Sequence, residues 1–362
     1  MSRHLSALMA RAQRDLVPLS AHFELTWRCN ERCVHCYVDL EDTAGELSTA
    51  EVRRILGELK DAGTLFLTFT GGEVFLRQDL PDLVRHAREL GFALRVFTNA
   101  TLVREEHARL FRETGVLAVE VSLYAMDPGT HDGITRVPGS HARTVAGIQL
   151  LREHGVPVVV KAPILREAAG EYRRVAAFAE AIGARWRFDT HLVTRNDLDP
   201  APLGHALGDE FLLRIATDPL LAAAIPPESG DSPAPDDPVC ATARRVVLVD
   251  PRGRVYPCSG RFPPAGDLRR QSFREAWETS PLLLRLRNLL AADMPGCREC
   301  ELWSWCARCP LDALAEEGDF FAVPRRACAE THLRRQAWEE GPPELREAIR
   351  DLLSRELPGC DL

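Results

Sequence analysis

Three cysteines stand close together near the N-terminus of this 362-residue chain, in the pattern Cys29-x3-Cys33-x2-Cys36. Thiolates in one short loop suit an iron–sulfur cluster, and electron-transfer clusters commonly have four cysteine ligands. Because three thiolates bind only three irons of a cubane, the fourth iron would keep an open position, as catalytic metal sites do. The alternative is a zinc site with His35 or His22 as the fourth ligand. The spacing alone leaves both possibilities open.

Seven further cysteines form a second group in the C-terminal third of the chain. Clustered cysteines in a reducing compartment indicate metal ligation rather than disulfides. Seven thiols suffice for one complete site and a second site that lacks one ligand, although a pair of zinc ribbons would use the same C-x2-C pairs. The seven are Cys240, Cys258, Cys297, Cys300, Cys306, Cys309 and Cys328.

Regular elements must position these cysteines, and residues 21 to about 190 alternate short apolar strands with amphipathic helices. Ser48 and Glu51 form a capping box before one of the helices. Repeated strand–helix units predict a parallel sheet of the α/β class, curved into a partial (β/α)6 TIM-like barrel. The six predicted strands are His22–Trp27, Leu65–Thr70, Ala93–Thr98, Ala118–Leu123, Pro157–Pro163 and Arg185–Thr190.

Polar and glycine residues follow the predicted strands at the edge where such barrels carry their chemistry. Glycines let a ligand approach the backbone closely, and a carboxylate accepts a hydrogen bond from an ammonium group. The residues at the ends of the first four strands are Cys29, Gly71, Gly72, Glu73, Asn99 and Ser122. Asp189, His191 and Arg195 follow the sixth strand and are weaker candidates for contact with a substrate.

In these features the sequence resembles the radical S-adenosylmethionine (SAM) enzymes. The likeness rests on the three N-terminal cysteines and on the segments Thr70–Glu73, Thr98-Asn99 and Val121–Leu123, in the family's order. The resemblance implies that the cysteines hold a [4Fe–4S] cluster and that SAM chelates its open iron. Reductive cleavage of SAM would give a 5′-deoxyadenosyl radical that abstracts hydrogen from the substrate.

The resemblance also implies roles for single residues around the cluster. Gly71, Gly72 and Glu73 would hold the SAM amine, and Asn99 belongs to the same cofactor-binding set. Ser122 and Arg136 resemble the residues that contact the ribose and the carboxylate of SAM. His35 takes the position set against adenine, a role that Tyr37 could share. One departure is Tyr124-Ala125, where many relatives have Asp-Gly, and it argues against the closest sulfatase-maturase pattern.

The C-terminal cysteines resemble those of the SPASM domain, which carries two auxiliary [4Fe–4S] clusters. The resemblance assigns the outer cluster to Cys297, Cys300, Cys306 and Cys328. It assigns the inner cluster to Cys240, Cys258 and Cys309. The spacing from Cys306 to Cys309 is one residue shorter than in the family. The inner cluster also lacks a fourth cysteine, a place that Asp236 or Asp237 could fill.

The sequence therefore predicts a partial barrel followed by a small cysteine-rich SPASM domain. Residues 1–20 form a helical segment, 21–215 the radical SAM core and 216–238 a linker rich in proline and aspartate. Residues 239–335 form the SPASM domain, which begins with a hairpin around Asp250–Gly253. Residues 336–362 form a final helix and tail, in which Cys360 is a weak candidate for a hydrogen donor.

Composition limits the partners. The formal net charge of −8 argues against nucleic acid, because phosphate neutralisation needs a basic surface. No run approaches the ~20 apolar residues of a membrane span, and arginines interrupt any signal sequence. We therefore expect a cytoplasmic protein that does not contact a membrane.

SPASM-type radical SAM enzymes mostly modify peptides, so the leading hypothesis is an oxidoreductase that matures a ribosomally made peptide or protein. The alternatives are radical SAM chemistry on a haem-like or metal cofactor, and a non-catalytic iron–sulfur or zinc protein. An external one-electron reductant of the flavodoxin or ferredoxin type is expected. Only about 20 residues precede the first strand, short of the ~50 of a small domain, so a separate partner or the enzyme's sheet edge would hold a peptide leader.

Overall fold

The computed structural model describes residues 3–38, 44–218, 220–221, 238–258, 262–290, 293–294, 296–306 and 308–340. Within them, nine strands form one sheet in the order β6-β5-β4-β3-β2-β1-β7-β8-β9. The strands are β1 (Ser20–Thr26), β2 (Phe66–Gly71), β3 (Ala93–Thr98), β4 (Ala118–Ser122), β5 (Val158–Pro163), β6 (Arg185–Asp189), β7 (Val246–Val249), β8 (Arg254–Tyr256) and β9 (Gly266–Asp267).

The first six strands confirm the predicted partial barrel, since they run parallel and each pairs with the next along the chain. The predicted capping box is also present, because Ser48 and Glu51 each accept from the other's backbone amide. The helices that connect these strands are α2 (Thr49–Asp61), α3 (Leu80–Glu89), α4 (Glu105–Thr114), α5 (Pro128–Thr135), α6 (Ser140–Glu153) and α7 (Tyr172–Ala181).

The two faces of the six-stranded sheet differ sharply in polarity. Successive side chains of a strand point to opposite faces, and one face is apolar and almost completely buried. Its residues include Phe23, Leu25, Leu67, Phe69, Leu94, Val96, Val119, Val121, Val158 and Val160. The other face carries His22, Glu24, Thr68, Thr70, Arg95, Glu120, Ser122, Lys161 and Arg187. A packed barrel interior is normally filled by branched apolar residues, so this polar face indicates an interior that receives a ligand.

The predicted hairpin is present as β7 and β8, which pair antiparallel. Asp250 organises the turn, since its carboxylate accepts from the backbone amides of Arg252 and Arg254. Gly253 has φ +85°, a backbone conformation that other residues rarely adopt. The sequence did not predict that β7 pairs in parallel with β1 and so extends the barrel sheet.

The chain divides into two compact units. One contains residues 12–206 and 242–284, and therefore holds all nine strands together with α9 (Phe273–Thr279). The other contains residues 1–11, 207–241 and 285–362; in it α8 (Asp209–Ala216) packs against α12 (Arg325–Glu340), which also contacts α11 (Pro310–Glu317). The helix α1 (Arg3–Arg14) starts in this unit, and α10 (Pro281–Arg287) ends in it.

The predicted domain boundaries stay a prediction. Residues 242–284 belong to the same compact unit as the sheet, although the sequence assigns them to the C-terminal domain. Most of the predicted linker, including Asp236 and Asp237, and the tail beyond residue 340 lie outside the described residues. Across the described ranges, no helix combines the length and the apolar character that crossing a membrane requires.

Candidate functional site

The loop with the first three cysteines directly follows β1. The backbone amides of Arg32 and Val34 donate to the carbonyls of Thr135 and Ile134, each at 3.0 Å, and so tie the loop to the last turn of α5. Within the loop, the Cys36 amide donates to the Cys33 carbonyl at 3.1 Å. These bonds hold the cysteines at the carboxyl edge of the sheet, as predicted.

The three thiols lie in surroundings that disfavour their ionised form. Burial, with a smaller contribution from charge repulsion among the three thiolates and nearby carboxylates, raises the pKa of Cys29 to about 12 and raises the pKa of Cys33 and Cys36. Thiolates in such a place need positive charge, which bound iron supplies. Among the described residues, no three Cys, His, Asp or Glu side chains converge on one point for a single ion.

Gly71, the last residue of β2, and Gly72, which follows it, let this strand pack against the end of β1 and the start of the cysteine loop. A Cβ on Gly71 would lie 2.2 Å from the Thr26 carbonyl oxygen, and one on Gly72 would lie 2.3 Å from that of Arg28. The amides of Gly72 and Glu73 donate to the same two carbonyls at 2.8 Å. The SAM amine is a donor, and the carbonyl oxygens of the motif are acceptors that could bind it.

The Glu73 carboxylate is completely buried and fastens β2 to β3. It accepts from the hydroxyl of Thr98 and from the amides of Phe75 and Asn99, at 2.8 to 3.1 Å. Burial raises the pKa of Glu73 to about 7, and these donors oppose the rise. Asn99 extends the connection, since its side-chain amide donates to Asn30 in the cysteine loop at 2.9 Å.

His35 belongs to the cysteine loop and contacts Tyr124, which follows β4. Its ring stands edge-on to Tyr124 at a centroid distance of 4.9 Å, and its buried Nδ1 has no hydrogen-bond partner among the described residues. Burial lowers the pKa of His35 to about 4, so the ring is neutral at physiological pH. A neutral ring with an unpaired buried nitrogen fits the predicted position against adenine.

Tyr37 donates a hydrogen bond to the carboxylate of Glu24, a residue that was not among the predicted site residues. Its hydroxyl donates to Glu24 at 3.1 Å, and Trp27 donates to the other oxygen of Glu24 at 2.8 Å. Glu24 is completely buried, and this burial raises the pKa of Glu24 to about 7. A glutamate between the apolar residues Phe23 and Leu25, in the middle of β1, was the signal that could have identified it.

The remaining predicted SAM contacts flank the loop. Ser122 is the last residue of β4, and Arg136 follows α5 with φ +57° and an exposed side chain. Arg136 is adjacent to Thr135, whose carbonyl accepts from the cysteine loop. Both residues therefore lie at the edge of the sheet where SAM is expected.

The candidate substrate-contacting residues after β6 differ in their surroundings. Asp189 is exposed and accepts from the backbone amide of His191 at 2.8 Å. Arg195 lies near the cluster loop, since its charge lowers the pKa of Cys36 in opposition to burial. The Arg195 Nε is buried and lacks a partner among the described residues, so it is available to an anionic group. Cys360 lies outside the described residues.

Four thiols of the second group line one small cavity, and they are those that the resemblance assigned to the outer cluster: Cys297, Cys300, Cys306 and Cys328. Their mutual charge repulsion contributes to a raised pKa of Cys297, whose main cause is burial. Of the predicted inner set, Cys309 is the N-cap of α11 and lies with Cys240 in one compact unit, whereas Cys258 belongs to the other. The ligand sets stay predictions.

Comparisons with known proteins define the class. Residues 23–179 match the model of the Radical SAM superfamily, and residues 240–310 match SPASM, an iron-sulfur cluster-binding domain. The chain is 30% identical to a PqqA peptide cyclase of Xanthomonas axonopodis over 83% of its own length and 85% of that protein. It is 27% identical to an AdoMet-dependent heme synthase of Methanosarcina barkeri, over 82% and 93%.

The chain belongs to the radical SAM superfamily and carries a SPASM domain. It is an enzyme whose cofactors are iron–sulfur clusters and SAM. Its fold is similar to that of Streptococcus suis SuiB bound to precursor peptide SuiA, with a TM-score of 0.71, 15% identity and coverage of 90% of this chain and 80% of that one. It is also similar to anSMEcpe with bound AdoMet and Cp18Cys peptide, with a TM-score of 0.65, 15% identity and coverage of 92% and 99%.

Proposed function

We propose that the enzyme modifies a ribosomally made peptide or protein. The observation that carries this proposal is the 30% identity to a PqqA peptide cyclase over most of both chains. The fold likeness to structures described with a precursor peptide and with the Cp18Cys peptide supports it. When bound, the cluster and SAM supply a carbon radical that removes hydrogen from the substrate.

The residues of the chain would bind and orient these groups. Cys29, Cys33 and Cys36 hold the SAM-binding cluster, and the carbonyl edge of Gly71 and Gly72 accepts from the SAM amine. Glu73 keeps that edge in place through its bonds to β3. A radical must be kept from water and other quenchers, and the closed apolar face of the sheet prevents access from that side.

Other residues complete the proposed cofactor sites. Ser122 and Arg136 contact the ribose and the carboxylate of SAM, and His35 lies against its adenine. The C-terminal thiols hold up to two auxiliary clusters, with an outer set that lines one cavity and an inner set of Cys240, Cys258 and Cys309. The radical SAM core of residues 21–215 and the SPASM domain of residues 239–335 remain the proposed domains.

The enzyme also needs partners. Reductive cleavage consumes one electron, which we assign to an external reductant of the flavodoxin or ferredoxin type. A separate protein or the exposed edge of the sheet would hold the leader of a peptide substrate. The clustered thiols favour the reducing cytoplasm as its location.

A second candidate function is supported by a different observation. The chain is 27% identical to an AdoMet-dependent heme synthase over 93% of that protein. In this case the substrate would be a haem precursor with carboxylate side chains, and the product would be its decarboxylated form. The two candidates share the cofactor site and differ only in the substrate.

One experiment separates them. Anaerobic holoenzyme is incubated with dithionite, SAM and either candidate small peptides encoded near its gene or a porphyrin with propionate side chains. The proposal expects 5′-deoxyadenosine together with a mass change in the peptide. Loss of carbon dioxide from the porphyrin, with an unchanged peptide, would support the second candidate. Protein with Cys29, Cys33 and Cys36 all replaced by alanine is the control and should release no 5′-deoxyadenosine.

A further inference from the structure

A buried carboxylate inside the barrel is surrounded by cations from three other strands. Glu120 of β4 is only 3% exposed. Its oxygens lie 3.0 Å from Arg187 Nη2 on β6, 3.3 Å from Lys161 Nζ on β5 and 3.9 Å from Arg95 Nη1 on β3. All four residues belong to the polar face of the sheet.

The charges of this cluster do not balance. His22 faces the same group from β1, but burial and the charge of Lys161 lower the pKa of His22 to about 4, so it is neutral at physiological pH. Arg95 and Arg187, together with Lys161 when it is protonated, face one carboxylate. Buried charge is costly unless it is paired, and the unbalanced positive charge therefore favours a further anion.

Two of these cations can be reached from the space above the sheet. The side chain of Lys161 is 18% exposed and that of Arg187 is 33% exposed, whereas that of Arg95 is 11% exposed. Lys161 is directly paired with Ser122 on one side and with Arg187 on the other. The two cations therefore lie at the same level of the sheet as Ser122, a proposed SAM contact, on the neighbouring strands β5 and β6.

Lys161 also has the properties of a cation that lacks a full counter-charge. Its ammonium lies over the ring of Phe97, and it shares Glu120 with two arginines. Burial, reinforced by Arg187, lowers the pKa of Lys161 to about 7, and Glu120 opposes this shift only in part. A second carboxylate would complete the ion pairing and keep Lys161 protonated.

We propose that Lys161 and Arg187 bind a carboxylate group of the substrate, while Glu120 positions the two cations. The inference rests on the proposed function, in which that carboxylate belongs to an acidic side chain of the peptide. The carboxylate of SAM and the carboxylate side chains of a haem precursor are other sources of the same chemistry. The test below separates SAM, and the incubation with peptide or porphyrin described above separates the haem precursor. Glu120 is a positioning residue, because its oxygens contact the cations and not the ligand.

The chain offers an internal reference for this test, because it contains only two lysines, Lys60 and Lys161. Lys60 lies in the last turn of α2. Anaerobic holoenzyme, with and without saturating SAM, is labelled briefly with acetic anhydride, and peptide mass spectrometry gives the acetylation rate of each lysine. Glutarate, which carries the proposed group, should slow the labelling of Lys161 and leave that of Lys60 unchanged. Glutaramide, its neutral diamide, should protect neither lysine.

Substitutions test the role of the second cation. Arg187→Met should raise the glutarate concentration needed for half protection about tenfold or more, since a hydrogen-bonded charge pair is lost. The matched control is Arg109→Met, on the exposed side of α4, which should leave the glutarate concentration for half protection unchanged. The wild-type comparison of glutarate with glutaramide does not depend on the folding of either variant.

Three results would overturn the proposal: equal protection by glutarate and glutaramide, full protection by SAM with no further effect of glutarate, or a Lys161 that no reagent reaches. Release of 5′-deoxyadenosine is measured on the same preparation. Protection without SAM cleavage would contradict the proposed function but leave the carboxylate site intact, so the two failures are distinguishable.

Discussion

The buried carboxylate of Glu73 accepts a hydrogen bond from the backbone amide of Asn99 at 2.8 Å, and this bond joins the end of β2 to the end of β3. The Thr98 hydroxyl and the Phe75 amide donate to the same carboxylate. Its oxygens are therefore occupied by the protein itself. In the proposed SAM site, Glu73 would therefore act through the backbone that it holds, as a positioning residue.

This arrangement predicts the effect of Glu73→Gln. The side-chain NH2 group of glutamine would face hydrogen-bond donors instead of accepting from them. One buried backbone amide would then lose its acceptor, which lowers the free energy of unfolding by about 1–3 kcal/mol. We expect a lower melting temperature and about tenfold weaker SAM binding in anaerobic calorimetry. Glu89→Gln, at an exposed position of α3, is the control. Unchanged SAM affinity would contradict the positioning role.

Glycine substitutions test the packing of β2 against the cysteine loop. A Cβ at position 72 would overlap the Arg28 carbonyl, so Gly72→Ala must displace the start of the loop. We expect this variant to lose iron from the SAM-binding cluster and to stop releasing 5′-deoxyadenosine. Gly57→Ala is the matched control, since nothing lies within 4 Å of its Cβ in α2, and alanine there should stabilise the helix by about 0.5–1 kcal/mol. Retention of all iron by Gly72→Ala would rule out this explanation.

The cavity lined by four C-terminal thiols predicts which cysteines act together. Cys306→Ala and Cys328→Ala should each lose the iron of one cluster, about four atoms per chain, and the double variant should lose no more than either one. Anaerobic iron and sulfide analysis measures this. Cys360→Ala should keep the full iron content. Additive losses from Cys306 and Cys328 would show that they serve different clusters.

The buried Glu24 predicts a pH-dependent stability. Its folded pKa of about 7 lies above the ordinary value of 4.5, so the folded chain binds a proton that the unfolded chain releases between these values. Its contribution to stability is therefore complete below pH 4.5 and is lost as the pH rises through 7. Glu24→Gln cannot ionise and can still bond to Trp27 and Tyr37.

We accordingly expect Glu24→Gln to be more stable than the wild type at pH 8, by roughly 1–3 kcal/mol, and to approach it near pH 5. Melting temperatures of the anaerobic holoenzyme at the two values measure this difference. The control variant Glu89→Gln should have the same melting temperature as the wild type at both pH values. A variant difference that does not change with pH would contradict the raised pKa.

The sequence alone determined the parts of the enzyme that depend on short-range spacing. The three cysteines from Cys29 to Cys36 and the segment Gly71–Glu73 lie within a few residues of one another, so their chemistry can be read without the fold. Strand–helix alternation also gave the parallel order of β1–β6, because a parallel pair requires a crossover connection. The hairpin of β7 and β8 followed from its turn residues.

Only the tertiary structure decided which distant residues meet. Arg95, Glu120, Lys161 and Arg187 come from four strands, and their contacts depend on the register between those strands and on which face closes inward. A shift of one residue would send every side chain of a strand to the opposite face. The pairing of β7 with β1 likewise joins segments more than 200 residues apart. Register and long-range pairing are set by packing of the whole sheet, and therefore no local pattern in the sequence contains them.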